Sequence, residues 1–111
     1  MDLTDTMIER TLYVNTISHL HTIREFVPDM IANKRGHVVT ISSMSALYGI
    51  PALTDYCASK SGAKSIDESL RLELKKNGNW RYVKTTCICP YLINTGMVEG
   101  ARTAFPMYLL D

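Results

Sequence analysis

Residues 37–60 read HVVTISSMSALYGIPALTDYCASK. The first six, His37 to Ser42, are short, β-branched and apolar beyond simple alternation, which fits a buried strand of a parallel sheet. Small polar residues end the strand at Ser42-Ser43, and Gly49 and Pro51 mark Ser43 to Thr54 as a loop. From about Asp55 to Lys76, Ala58, Ala63, Ile66, Leu70 and Leu74 fall on one face of a predicted helix that stops at Asn77-Gly78-Asn79. Val83 to Cys89 is a second β-rich run, and Pro90 closes it. Strand, loop, helix, strand is a crossover unit, right-handed and at home in a parallel sheet, whose ligands bind beyond the carboxyl ends of the strands. Here those ends are Ser42-Ser43 and Cys89-Pro90.

Upstream, Ile8, Leu12, Leu20, Ile23, Val27, Met30 and Ile31 recur mostly at three- and four-residue steps behind the cap candidates Thr4 and Asp5, predicting one long helix over Thr4–Asn33. Pro28 should kink it, and Lys34-Arg35-Gly36 reads as its end, with a glycine free to turn left-handed. The fold class is therefore α/β, a partial Rossmann-like, doubly wound parallel sheet. Two parallel strands alone leave both outer edges and part of each face uncovered, so the chain reads as a piece of a larger domain, a helix-strand-helix-strand portion whose N-terminal half is missing.

The whole chain has 111 residues, 46% of them hydrophobic, with 12 Lys and Arg against 11 Asp and Glu. That balance leaves no basic field for nucleic acid and no acidic tail. No stretch approaches the ~18 apolar residues of a membrane span, and Met1-Asp2-Leu3-Thr4-Asp5 has neither region of a signal peptide, so the chain as written is expected to be soluble. Cys57, Cys87 and Cys89 make an odd count without framework spacing and read as reduced thiols.

Tyr56 and Lys60 lie four positions apart on the predicted second helix, which puts phenol and ammonium on one face. Alone, the pair reads as an exposed tyrosine beside a solvated lysine. Ser43, at the end of a buried strand and joined to Tyr56 by a Gly/Pro loop, adds a hydroxyl that can fold back toward the phenol. Three such groups suit a proton relay. Reducing a carbonyl needs a donor for the developing alkoxide, and oxidising an alcohol needs the same group as a base. A phenol with a pKa near ~10 is too weak a base at neutral pH; an adjacent ammonium favours phenolate, and a depression of ~3 units corresponds to roughly 4 kcal/mol. A serine hydroxyl can donate to the oxygen on which charge builds. No side chain supplies hydride, so the chemistry requires a nicotinamide cofactor.

Ile41-Ser42-Ser43, Tyr56-Cys57-Ala58-Ser59-Lys60 and Cys89-Pro90-Tyr91-Leu92-Ile93-Asn94-Thr95-Gly96-Met97 resemble the catalytic C-terminal portion of the classical short-chain dehydrogenase/reductase family, over nearly the whole chain. The resemblance implies an NAD- or NADP-dependent oxidoreductase with Asn15, Ser43, Tyr56 and Lys60 as catalytic residues and Tyr56, Lys60, Pro90, Ile93 and Thr95 at the cofactor. Asn15 would hold a water against Lys60, and Ile93 and Thr95 would contact the nicotinamide carboxamide. Asp55 to Lys60, Glu68-Ser69-Leu70, Lys84-Thr85-Thr86 and Thr95 to Gly100 further resemble the retinol dehydrogenase and 17-beta-hydroxysteroid dehydrogenase branch. That branch implies a lipophilic alcohol or carbonyl substrate, retinoid-, steroid- or fatty-alcohol-like. It also implies a homodimer through the two long helices when full-length, and a full-length relative at the endoplasmic reticulum membrane or a lipid droplet, facing the cytosol. Membrane association would come only through a missing N-terminal segment.

Departures from the family pattern bear on competence. The Gly-rich turn that meets the cofactor pyrophosphate at a helix start is nowhere in the sequence; Tyr91 follows Pro90 where glycine is usual, a change that the resemblance to the retinol-type branch accommodates. The 111 residues are thus expected to be an incomplete domain, inactive alone. The alternative is a truncated, non-catalytic remnant that binds or dimerises with a full-length relative; a chain that does not fold at all is the third reading. Ser42 competes with Ser43 for the catalytic role, and only spacing within the resemblance favours Ser43. Cys87 and Cys89 share a strand face, but a lone Cys-x-Cys is more often packing than a metal site, and His19 and His21, two apart on a helix, point in different directions. No metal is expected, and His19, His21 and His37 read as structural or solvated.

Overall fold

The computed structural model describes residues 2–93, with Leu92 as backbone only, together with the backbone pair Leu109–Leu110. Thr4 caps the first helix, its Oγ1 accepting from the Met7 amide at 3.3 Å. Helix α1 spans Asp5–Leu12, and Asp5 meets the positive end of its dipole. A π turn, Tyr13–Ile17, follows, and α2 continues over Ser18–Ala32, through Pro28. The predicted helix is therefore present along its course, but it is interrupted at 13–17.

The end of α2 differs from expectation. The Lys34 amide donates to the Ile31 carbonyl and the Arg35 amide to the Met30 carbonyl, at 3.1 and 3.0 Å, the paired bonds of a Schellman cap. Its left-handed residue is Lys34, at φ 53, rather than Gly36. Gly36 instead opens strand β1, Gly36–Ile41, where a Cβ would lie 2.6 Å from the Met30 side chain. The glycine serves close approach of strand to helix.

After β1 comes a 3-10 turn, Met44–Ala46, then α3, Thr54–Lys76, a second 3-10 turn, Asn79–Arg81, and strand β2, Val83–Ile88. β1 and β2 pair in parallel, from Gly36 opposite Val83 to Ile41 opposite Ile88. Leu92–Ile93 (β3) and Leu109–Leu110 (β4) form a further short parallel pair. The predicted strands and second helix thus form within a residue or two of their expected bounds, and the parallel crossover is present.

Val27 of α2, Leu70 and Leu74 of α3 and Val83 of β2 make the buried core, with Ile23, Met30, Ile31, Val38, Trp80 and Tyr82 packed around it. Thr40 and Thr85 are buried on the same side of the strands. On the opposite side Val39 and Ile41 are each 51% exposed and Ile88 44%. A β-branched run suited to burial on both faces is covered, among the described residues, on one. The helices therefore order the carboxyl ends of β1 and β2 from a single side.

Candidate active site

Two hydrogen bonds tie the end of β1 to Lys60. The Lys60 ammonium donates to the Ile41 carbonyl at 3.2 Å, and Ser42 Oγ donates to the Lys60 carbonyl at 2.8 Å. Because Tyr56 precedes Lys60 by one helical turn, the ammonium sits 5.8 Å from the centre of the Tyr56 ring, within cation–π range. Burial pushes the Lys60 pKa below the ordinary lysine value. Only one of its three N–H donors is held by the Ile41 carbonyl.

The two serines are distinguished by these contacts. Ser42 is buried, and its hydroxyl proton is committed to Lys60. Ser43 is half-buried, and its Oγ accepts the Ser45 amide at 3.1 Å as the cap of the 3-10 turn. Among the described residues no acceptor takes its proton. Ser43 also lines a cavity of about 350 Å³ with Met44, Tyr48, Ile50, Pro51 and Tyr91, and burial, then the neighbouring Tyr91, raises the Tyr48 pKa above its ordinary value. Ser61 Oγ of α3 donates to the Ala46 carbonyl at 3.3 Å, which fastens the turn carrying Ser43 to the helix carrying Tyr56.

Asn15 lies in the π turn. Its Nδ2 donates to Ser59 Oγ at 3.1 Å, and Ser59 Oγ donates to the Tyr56 carbonyl at 2.7 Å. Next to it, Thr16 Oγ1 donates to the Ser59 carbonyl at 2.8 Å. Ser59 is fully buried between Tyr56 and Lys60. The π turn thus grips the part of α3 that bears both groups, and Asn15 touches Ser59 rather than Lys60. These bonds brace the elements that carry Asn15, Ser43, Tyr56 and Lys60 against one another. Pro90 is half-buried at the end of β2, and its carbonyl accepts the Met44 amide at 2.9 Å. Ile93 is 38% exposed, and Thr95 lies outside the described residues.

His19 faces this region from α2. Its pKa is lowered by burial and by the Lys60 charge, and raised in part by Asp67. His21 instead contacts Arg24 and the Tyr13 ring, so the two histidines diverge. Among the described residues no group of three His, Cys, Asp or Glu side chains could hold a metal. The thiols of Cys57, Cys87 and Cys89 are free.

Reading the sequence did not find Ser59, Thr16 or the structural duty of Ser42. A signal for the first two existed: Ser59, Gly62 and Ala63 are small residues on one side of α3, which permits close helix approach, and Val14, Thr16 and Ile17 are β-branched residues that fit a regular helix poorly.

Solved structures share this fold. A short chain dehydrogenase from Burkholderia cenocepacia in complex with NADP superimposes with TM-score 0.77 at 25% identity, over 93% of this chain and 42% of that one. A dehydrogenase/reductase from Burkholderia phymatum in complex with NAD gives 0.81 at 24% identity, over 99% and 39%. In sequence, the chain is 46% identical over 105 residues to bovine (Bos taurus) short-chain dehydrogenase/reductase family 16C member 6 and 43% over 109 residues to epidermal retinol dehydrogenase 2 of Mus musculus. Rattus norvegicus retinol dehydrogenase 10 is 43% identical over 105 residues. These alignments cover 95%, 98% and 92% of this chain, which spans about a third of the length of each relative (33%, 35% and 30%). The family model described as short chain dehydrogenase matches residues 1–105, and with the Tyr56–Lys60 pair on α3 tied to the end of β1, the chain belongs to the short-chain dehydrogenase/reductase family of oxidoreductases.

Proposed function

We propose that Ser43, Tyr56 and Lys60, positioned by Asn15, are the proton-transfer centre of an NAD- or NADP-dependent oxidoreductase acting on a lipophilic alcohol/carbonyl pair. The observation that carries this reading is the Lys60 ammonium, held by the Ile41 carbonyl and set over the Tyr56 ring at 5.8 Å, at the strand end that also bears Ser43, whose hydroxyl proton no acceptor takes among the described residues. In the oxidation direction the Tyr56 oxygen accepts the alcohol proton; in reduction it returns that proton to the carbonyl oxygen. Lys60 places positive charge beside the phenol, which stabilises negative charge on its oxygen. Ser43 donates to the substrate oxygen, where alkoxide charge is greatest. Ser42 holds Lys60 from behind and takes no part in proton transfer.

The nicotinamide ring, when bound, gives or takes the hydride. The residues present fit that half of the cofactor. Lys60 has N–H donors besides the one on the Ile41 carbonyl, and Pro90 follows the carboxyl end of β2, beyond which ligands of parallel sheets bind, with Ile93 next in β3. The pyrophosphate turn has no counterpart in the sequence. The 111 residues are accordingly read as the carboxy-terminal catalytic portion of one domain, inactive alone. In the completed protein α1–α2 and α3 pair with those of a second copy; Tyr13, Val14, Leu20 and Leu72 are exposed apolar side chains on these helices. The substrate class is supported by the retinol dehydrogenases among the relatives and by Met44, Ile50 and Pro51 in the cavity wall. No helix of the described residues is long and apolar enough to cross a membrane.

The test exchanges this chain for the 105 matching residues of bovine family 16C member 6 and assays oxidation of all-trans-retinol with NAD and NADP. Turnover that disappears in Tyr56→Phe, with dinucleotide binding retained, is the expected result. Near-normal turnover in that variant removes the relay assignment. The half-exposed Val39, Ile41 and Ile88 favour a second reading, a non-catalytic remnant docking on a full-length relative; failure of the chain to retain such a relative in a pull-down counts against it.

A further inference from the structure

Cys87 and Cys89 take no part in the proton relay, yet they are placed with respect to it. Residues two apart on a strand share a face, and the two sulfurs are 3.9 Å apart. β2 ends at Ile88, so Cys89 lies one residue beyond the ladder and is less restrained than a strand residue. Both side chains are half-buried, and neither thiol is taken up by another cysteine. We propose that Cys87 and Cys89 form a reversible intramolecular disulfide, a modification site at the carboxyl end of β2.

The oxidant is a low-molecular-weight disulfide such as oxidised glutathione. The Cys89 thiolate attacks one of its sulfurs, the glutathione S–S bond breaks, and one glutathione thiolate leaves. The Cys87 thiolate then attacks the Cys89 sulfur and expels the second glutathione. Two cysteine thiols are oxidised, one glutathione disulfide is reduced, and the two cysteine protons end on the two glutathione thiols. The order follows from Cys87, whose pKa is pushed up to about 11 by burial first, then by the hydrogen bond and charge of Cys89. Once Cys89 is in a mixed disulfide, those two Cys89 contributions are gone and Cys87 is freer to attack.

The bond is easily lost. At about 3.3 Å per residue, strand positions two apart have Cα atoms roughly 6.5 Å apart, near the ~6.8 Å ceiling for a disulfide. Closing it contracts the strand end, and strained disulfides are the labile, regulatory ones. The contraction falls on Ile88, whose carbonyl accepts the Ser42 amide at 2.8 Å, and on Pro90, whose carbonyl accepts the Met44 amide at 2.9 Å. Those two bonds hold the segment that contains Ser43. The consequence for catalysis rests on the function proposed above; the disulfide does not.

The experiment equilibrates the purified chain in reduced and oxidised glutathione buffers, alkylates it, digests it with trypsin and weighs the peptides. Trypsin places Cys87 and Cys89 together in residues 85–102 and Cys57 apart in residues 36–60. Expected under oxidising conditions is a 85–102 peptide lighter by two hydrogens and unalkylated, restored by dithiothreitol, while Cys57 stays alkylatable. In Cys87→Ser that species disappears and a glutathione adduct on Cys89 takes its place. Alkylation of both cysteines in oxidising buffer, stable glutathione adducts on the wild-type pair, or disulfide-linked dimers would each overturn the proposal. Amide exchange at Ser42 and Met44 should accelerate several-fold on oxidation; unchanged exchange beside a confirmed disulfide overturns the coupling to Ser43.

Discussion

Gly62→Ala should destabilise the protein, against the usual sign for a helix interior. Alanine in place of glycine normally favours a helix by about 0.8–1.0 kcal/mol. Gly62, however, faces the π turn across the α1–α3 contact, and a Cβ there would lie 2.7 Å from Thr16 Cγ2 and 3.3 Å from Thr16 Oγ1. The threonine cannot swing aside freely: it is β-branched, and its Oγ1 donates to the Ser59 carbonyl at 2.8 Å. Overpacking of this kind costs about 1–3 kcal/mol, and loss of the hydrogen bond costs about 1 kcal/mol more where rotation relieves the clash. The net expectation is a loss of about 1–2 kcal/mol. Thr16→Ser removes the offending methyl and keeps the hydroxyl, so in that background Gly62→Ala should regain the helix-propensity benefit, a coupling of about 2 kcal/mol. Urea unfolding of the four proteins, read as midpoints at constant slope, measures it. A stabilised Gly62→Ala single variant, or the same effect in both backgrounds, would refute the close contact between the π turn and α3.

The two serines separate in the same assays: Ser42→Ala should lower stability by about 1–2 kcal/mol through loss of its bond to Lys60, whereas Ser43→Ala should cost under about 1 kcal/mol as a lost cap yet reduce kcat of the completed enzyme by roughly 10²-fold or more. His19 titrates below 6.5 because burial, then Lys60, disfavour its charge, opposed by Asp67; by proton NMR, Lys60→Met should raise its midpoint and Asp67→Asn lower it, and no movement in either would sink the placement of these charges. For stability the sign is that of a depressed histidine: the unfolded state binds more protons, so His19 contributes a loss as pH falls below about 6.5, a component that His19→Gln removes from the unfolding profile. Cys87, pushed up to about 11, should alkylate at a rate that climbs with pH and does not level off until near that value; a plateau by pH 9 would contradict it.

The crossover was legible because its signals are local. The β-branched run from His37, the Gly/Pro loop and the apolar face of residues 55–76 each act over a few residues and agree with one another. The π turn was not legible in the same way, since nothing in a three- to four-residue periodicity distinguishes it from α-helix. Its position is bound up with partners more than forty residues away, Thr16 and Asn15 on Ser59. The left-handed cap was misplaced for a related reason: Lys34 takes the strained position because Gly36 is needed two residues later, where Met30 closes on the strand. Tyr56 and Lys60 were visible as a pair on one helix face, whereas the difference between Ser42 and Ser43 depends on which hydroxyl the folded chain consumes.

That last distinction bears on what a relay needs beyond its three polar groups. Ser42, Ser59 and Ser61 all lie within hydrogen-bond reach of backbone carbonyls, those of Lys60, Tyr56 and Ala46. Each bond joins or braces one piece of the site: strand end to helix, helix to itself, helix to the turn bearing Ser43. Lys60 is thereby held at its backbone by Ser42 and at its ammonium by Ile41, so its charge stands beside Tyr56 before any substrate arrives. A pre-placed charge incurs no reorganisation when the alkoxide develops, which is where electrostatic catalysis gains most of its effect. A lysine held only at its ammonium could follow the phenol or desert it. The small residues around Tyr56 are therefore as much a part of the reading as the tyrosine itself.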